Sequence, residues 1–277
     1  MSAPETIRLR GGGLEWVEDP GWAAAEAEAF GWVSSAAVLA NDDVVVFQRR
    51  APELVTVSQS GAIVSTRDLG LADGHGIFAA ADDTLYVVDR DAHRLYRVSA
   101  GREPEPILAA SGVAFCHPTD VVVDPATGEL YVSDGYGGAA VHRFAADGTH
   151  ICSFGEYGAR PGAFNLVHTL ALDGCGRVIV ADCGNGRIQL FSLDGELVSV
   201  WDGLFRPLGI HVDARLGLVF VTEGSTRVTA RTLDGVVVAA GRTPGNAHGI
   251  CGDSQGNLYL SIPGASSVLR LAARAGA

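Results

Sequence analysis

The sequence predicts an all-β chain folded as one domain over residues 1–277: a six-bladed β-propeller closed by an N-terminal strand. Three observations predict it. Short β-rich runs recur, among them VVVF (44–47), LYVVD (85–89), LYVSD (130–134), VIVAD (178–182), LVFVT (218–222) and LYLSI (258–262). Many are separated by Asp-Gly pairs, a hairpin signal. The segments 83–101, 128–155, 175–203 and 216–241 repeat one plan of strand, polar turn, strand and turn, at a period near forty residues. Helical periodicity is nearly absent.

Taken in order, GWAAAEAEAF (21–30) offers a helical turn or two before the repeats begin. Six units follow, at about 32–74, 75–118, 119–167, 168–208, 209–247 and 248–277. A four-stranded unit of this size cannot bury both faces of its sheet alone, so such units stack radially around an axis. The sixth unit ends after VLRLA (268–272) without an outer strand. Either TIRLR (6–10) or LEWV (14–17) is expected to supply it.

Composition narrows the chemistry. Net charge is −12 and every one of the 20 basic residues is arginine. Nucleic acid, which demands a cationic face, is not an expected partner. The missing lysine excludes Schiff-base chemistry and Gly-Lys phosphate loops. No run reaches the ~18 to 20 apolar residues that cross a bilayer, and MSAPETIRLRGGG has no apolar signal core. The reading is a soluble cytoplasmic protein that takes a small-molecule substrate. Five cysteines without a C-x-x-C pair suit a reducing compartment and make a disulfide framework or thiolate cluster unexpected.

His75, His168 and His248 stand third in DGHGIF, LVHTLA and NAHGIC, each 14 residues before the matching point of the next strand. The same position in the other units falls at about Ser34, Thr119 and Leu208. Histidine therefore occupies alternate units, and a sixfold ring directs three imidazoles at its axis about 120° apart. Three nitrogens with an open fourth position form a catalytic metal site. Zn²⁺ is the expected ion, and other divalent transition metals also accept imidazole. His93, His117, His142, His150 and His211 are expected on hairpins or outer strands.

The repeat typified by GNGRIQLFSLDGELVSVW (184–201) resembles the NHL type. Histidines in alternate blades, CHPTDVVVDPATGELYVSDGY (116–136), VHTLAL followed by VIVADCGNGRIQLF, and VVVFQRR (44–50) together resemble the peptidyl-α-hydroxyglycine α-amidating lyase family. The resemblance implies metal ligands at His75, His168 and His248, a catalytic tyrosine at Tyr136 and functional arginines at Arg187 and Arg49, the last interchangeable with Arg50. It implies cleavage of a carbinolamide N–C bond to an amide and glyoxylate. Such chemistry needs the tyrosine's pKa, ordinarily ~10, pulled down by cationic neighbours. The chain departs from the family pattern in three ways: Gly74, Val167 and Ala247 precede the histidines where proline is usual, Gly249 stands where an aspartate helps bind calcium, and Gly137 replaces the disulfide partner of Cys116. Calcium is accordingly not expected. Two other readings share the scaffold: a zinc-hydroxide hydrolase of an ester, lactone or amide, and a non-enzymatic NHL interaction module.

Overall fold

The computed structural model describes residues 8–274. Its strands form four four-stranded sheets and one nine-stranded sheet, an all-β, propeller-like arrangement. The first four-stranded sheet comprises β3 (Val33–Val38), β4 (Val44–Gln48), β5 (Leu54–Val57) and β6 (Ile63–Arg67). Next come β7 (Gly74–Ala79), β8 (Leu85–Asp89), β9 (Arg94–Val98) and β10 (Glu105–Ile107). The third sheet holds β11 (Pro118–Val123), β12 (Leu130–Asp134), β13 (Ala140–Phe144) and β14 (His150–Phe154). The fourth holds β15 (Val167–Leu172), β16 (Arg177–Asp182), β17 (Arg187–Ser192) and β18 (Leu197–Trp201).

The nine-stranded sheet begins with β19 (Pro207–Asp213), β20 (Leu218–Glu223), β21 (Arg227–Thr232) and β22 (Val237–Arg242). It continues through β1 (Arg8–Gly11) and β2 (Leu14–Glu18) to β25 (Ser267–Arg274), β24 (Leu258–Ile262) and β23 (Gly249–Gly252). Both candidate N-terminal segments are therefore used. LEWV runs antiparallel to β25, Trp16 opposite Ala273, while Leu9 and Arg10 pair with Gly241 and Ala240 of β22. Thr6 and Ile7 lie outside the described residues. The first strands of the four small sheets and the two end strands of the nine-stranded sheet touch in a closed cycle: β3 with β7, then β11, β15, β19, β23 and β3 again.

The core lies between neighbouring sheets, where the alternate side chains of each strand interdigitate. Trp16 packs edge-on against Phe220 at 5.0 Å between centroids, and its indole N–H donates to the Gly256 carbonyl at 2.9 Å. The helical signal at 21–30 resolves as a 3-10 helix over Ala24–Ala29, flanked by buried Trp22 and Phe30. Gly148, Gly195 and Gly235 of the Asp-Gly pairs adopt positive φ, as tight turns require. Asp73-Gly74 and Asp134-Gly135 do not turn. Gly74 begins β7, and a Cβ at Gly135 would sit 1.8 Å from the Val167 carbonyl oxygen, so that glycine permits a close approach of backbones.

Candidate metal centre

The second strands β4, β8, β12, β16 and β20 each end in a side chain that organises the loop ahead of the first strand beside it, whereas β24 ends in apolar Ile262. Gln48 Oε1 accepts from Gly31 N at 2.6 Å, Asp134 Oδ2 from Cys116 N at 2.6 Å and Asp182 Oδ1 from Asn165 N at 2.7 Å. Asp89 accepts from Ala72 N and Asp73 N at 2.9 and 3.0 Å, and Glu223 from Phe205 N at 2.8 Å. These buried acceptors satisfy loop amides that would otherwise be orphaned. They also fix the chain where it enters five of the six first strands. Three of the recurring β runs, LYVVD, LYVSD and VIVAD, thus carry this support in their last residue, and VVVF and LVFVT are followed directly by it.

His75 and His168 are the second residues of β7 and β15, and His248 immediately precedes β23. Their candidate ligand atoms all lie within 4.8 Å of one another. Each Nδ1 meets a carbonyl oxygen of the next first strand: Thr119 at 2.7 Å, Leu208 at 2.9 Å and Ser34 at 2.7 Å. These are the three register-equivalent positions that lack histidine. A carbonyl only accepts, so each Nδ1 carries the proton and each Nε2 presents a lone pair. Burial, joined by the neighbouring imidazoles, holds His75 well below its ordinary pKa, and burial brings His168 down to about 4. The neutral form is the ligating form.

The donor set fits a cation. His168 Nε2 and His248 Nε2 stand 3.1 Å apart, two lone pairs facing each other. Three bonds of ~2.0 to 2.1 Å in tetrahedral geometry separate nitrogens by about 3.3 Å. The backbone carbonyls supply the outer hydrogen bonds that metal-bound imidazoles normally have. At Gly249, a Cβ would lie 2.9 Å from Ser35 Oγ, so an aspartate there would require Ser35 to move.

Tyr136 Oη lies 3.3 Å from His75 Nε2, on the far side of the site from the central channel. The Arg90 guanidinium sits over its ring at 5.1 Å. Burial raises the phenol above its ordinary pKa, while Arg49 and Arg90 pull the other way without overturning it. Guanidinium charge alone therefore does not supply the lowering that the chemistry needs. Arg49 approaches Asp73 at 3.4 Å, and Arg90 pairs with the same carboxylate at 2.6 Å. Arg50 turns away and donates to the Phe30 carbonyl at 3.1 Å.

Arg187 is not brought to the imidazoles. Its Nε meets Asp182 Oδ2 at 2.7 Å, and its terminal nitrogens donate to the carbonyls of Ala159, Arg160 and Ala163 at 2.8 to 2.9 Å. The side chain is buried and its donors are spent on holding the 159–163 loop.

Two residues that the sequence reading passed over stand at the site instead. Arg90 follows β8 as Arg49 follows β4, a positional match visible in VVFQRR and VVDR. Arg206 comes from the loop before β19 and had no such signal. It borders a cavity of about 520 Å³ together with Tyr136, His168, Cys183 and His248. The imidazoles divide this mouth from a central channel of about 390 Å³. The channel includes His211, which lies on first strand β19 and not on a hairpin or outer strand, and the carboxyl of Asp120. Burial pushes Asp120 up to about 7. His142 and His150 meet at Ser153 on outer strands, and His93 packs against His117 beside the mouth-side loops.

A description of the NHL repeat matches residues 115–144. Over 139 residues the chain is 37% identical to peptidyl-glycine alpha-amidating monooxygenase B of Xenopus laevis, covering 45% of this chain and 16% of that protein. It is 28% identical over 139 residues to peptidyl-alpha-hydroxyglycine alpha-amidating lyase 1 of Drosophila melanogaster, covering 42% and 25%. The chain thus spans well under half the length of these curated relatives. A solved gluconolactonase from Xanthomonas campestris superposes with a TM-score of 0.74 over 98% of this chain and 95% of its own, at 17% identity, a likeness of fold. No helix of the described residues is long and apolar enough to cross a membrane. The chain carries an NHL repeat and is a homologue of the peptidylglycine α-amidating monooxygenases and the α-hydroxyglycine amidating lyase.

Proposed function

We propose that the chain is a metal-dependent lyase that cleaves the N–C bond of a small α-hydroxyglycine-like carbinolamide, releasing an amide and glyoxylate. The observation that carries this reading is the convergence of three Nε2 lone pairs, each fixed by an Nδ1–H donated to a carbonyl. In this reading the nine-stranded sheet is two blades bridged by β1, which makes six blades and sets His75, His168 and His248 on alternate ones. They hold the ion, Zn²⁺ being the expected one. When bound, the ion supplies Lewis acidity toward the substrate's carbinol hydroxyl.

Tyr136 is positioned to handle the proton. In the reaction the carbinol O–H proton leaves, the C–O bond becomes a carbonyl, the C–N electron pair departs to nitrogen and nitrogen gains a proton. Ionised to the phenolate, Tyr136 can accept the first proton and return it to the amide nitrogen, so the count closes. Arg90 and Arg49 flank the phenol, and their charge favours its ionised form. The 520 Å³ mouth is sized for a small molecule. All five cysteines are free, which supports a reducing, cytoplasmic setting.

Elemental analysis of the purified protein, paired with glyoxylate release from α-hydroxyhippurate, tests this. The expected result is about one equivalent of transition metal, its loss in His168→Ala, and at least ~100-fold lower turnover in Tyr136→Phe with metal retained. The shared fold of the gluconolactonase favours a second reading, hydrolysis by a metal-activated water. That chemistry does not need the phenol, so ester turnover preserved in Tyr136→Phe selects it. A protein without bound metal after zinc-supplemented expression selects a non-catalytic interaction module.

A further inference from the structure

Four guanidinium groups bear on the site's charge, one of them, Arg187, away from the mouth, and their pairings differ. Arg187 is consumed by Asp182 and three carbonyls. Arg49 and Arg90 share Asp73. Arg206 takes part in none of the ion pairs formed among the described residues, although it borders the mouth beside Tyr136, His168 and His248. Glu223, the acid nearest in the strand order, is occupied elsewhere: it accepts from Phe205 N at 2.8 Å and faces Arg227 at 3.7 Å.

The side chain beside Arg206 on the cavity wall is the Cys183 thiol, whose proton affinity burial raises while the guanidinium opposes it. Cys183 is buried and immediately follows β16, as Arg49 follows β4 and Arg90 follows β8. In this sheet the post-strand position carries no charge, and the next loop delivers one onto it. The delivery is built in: Arg206 adopts a left-handed backbone at φ 49°, and its carbonyl accepts from Gly224 N at 3.0 Å. A neutral thiol orients a guanidinium without neutralising it. A carboxylate can therefore receive the forked donors in full.

We infer that Arg206, oriented by Cys183, is the carboxylate-recognition residue of the mouth and selects small α-acylamino carboxylates over their neutral counterparts. The inference rests on the site reading above for the substrate's class, and it is tested here without turnover. Calorimetric titration of the zinc-loaded protein with hippurate and with hippuramide isolates the carboxylate. Arg206→Met is expected to weaken hippurate about ten- to hundredfold and to leave hippuramide unchanged, with Arg206→Lys between wild type and Met. Metal content and the circular dichroism spectrum report folding of each variant. Hippurate affinity unaffected in Arg206→Met, equal loss for both ligands, or no preference of the wild type for hippurate overturns the assignment. Hippurate selectivity lost in Arg206→Met, in a protein that releases no glyoxylate from α-hydroxyhippurate, retires the lyase reading and leaves the carboxylate subsite standing.

Discussion

Asp120 follows Thr119 on β11 and turns its carboxyl into the channel, where it accepts from the Thr169 hydroxyl and from Val121 N at 3.0 Å. Burial raises its pKa to about 7 from 3.8. Between these values the folded chain holds a proton that the unfolded chain has released, so unfolding free energy falls as pH rises from about 4 to about 7. Asp120→Asn removes the titration. Urea unfolding across that range should show the wild type losing on the order of a few kcal/mol relative to the variant, with no difference in slope above pH 8. The triad was legible as residues because its spacing follows the repeat, and Ser34, Thr119 and Leu208 were legible as register positions, though not as hydrogen-bond partners. Arg187 misled because GNGR is a repeat motif whose arginine here serves the fold. Arg206 was illegible because a loop backbone, not a strand register, aims it.

At the scale of the strand, a single acidic or amide residue does two jobs. Asp89, Asp134 and Asp182 end second strands that are otherwise buried, and each captures the amides of its own sheet's entry loop. The runs LYVVD, LYVSD and VIVAD displayed these residues, but only the loop partners reveal why an acid stands there. Strand β2 depends on Trp16, fully enclosed and hydrogen-bonded to Gly256. Trp16→Ala should cost about 3 to 5 kcal/mol in equilibrium unfolding. Trp16→Phe keeps most of the packing and loses the indole donor, and should cost less than half as much. The pairing of LEWV with the last sheet was foreseeable from the missing fourth strand. The insertion of β1 beside β22 was not, because RLRG has no partner pattern in the sequence and its place follows from where β2 must lie.

For the molecule as a whole, the proposed centre ties three separate sheets at one point. A cation that binds only the folded ring adds stability by mass action, about 2.7 kcal/mol at a hundredfold excess over its dissociation constant. Dipicolinate should accordingly lower the melting temperature of the wild type, and differential scanning calorimetry should find His168→Ala insensitive to it. An equal response in both proteins would separate stability from the triad. The ring itself was legible in the forty-residue repeat, since no single sheet of that size buries both faces.

Because β2 pairs with β25 and β1 with β22, the hairpin of residues 8–18 joins the rest of the sheet through residues 240–274. During synthesis the outer edge of this hairpin stays open until residues 240–274 have emerged, and the cycle of strands shuts only then. Closure is then a late encounter between segments far apart in sequence, which makes it slow and exposes the nascent protein to edge-to-edge association until that moment.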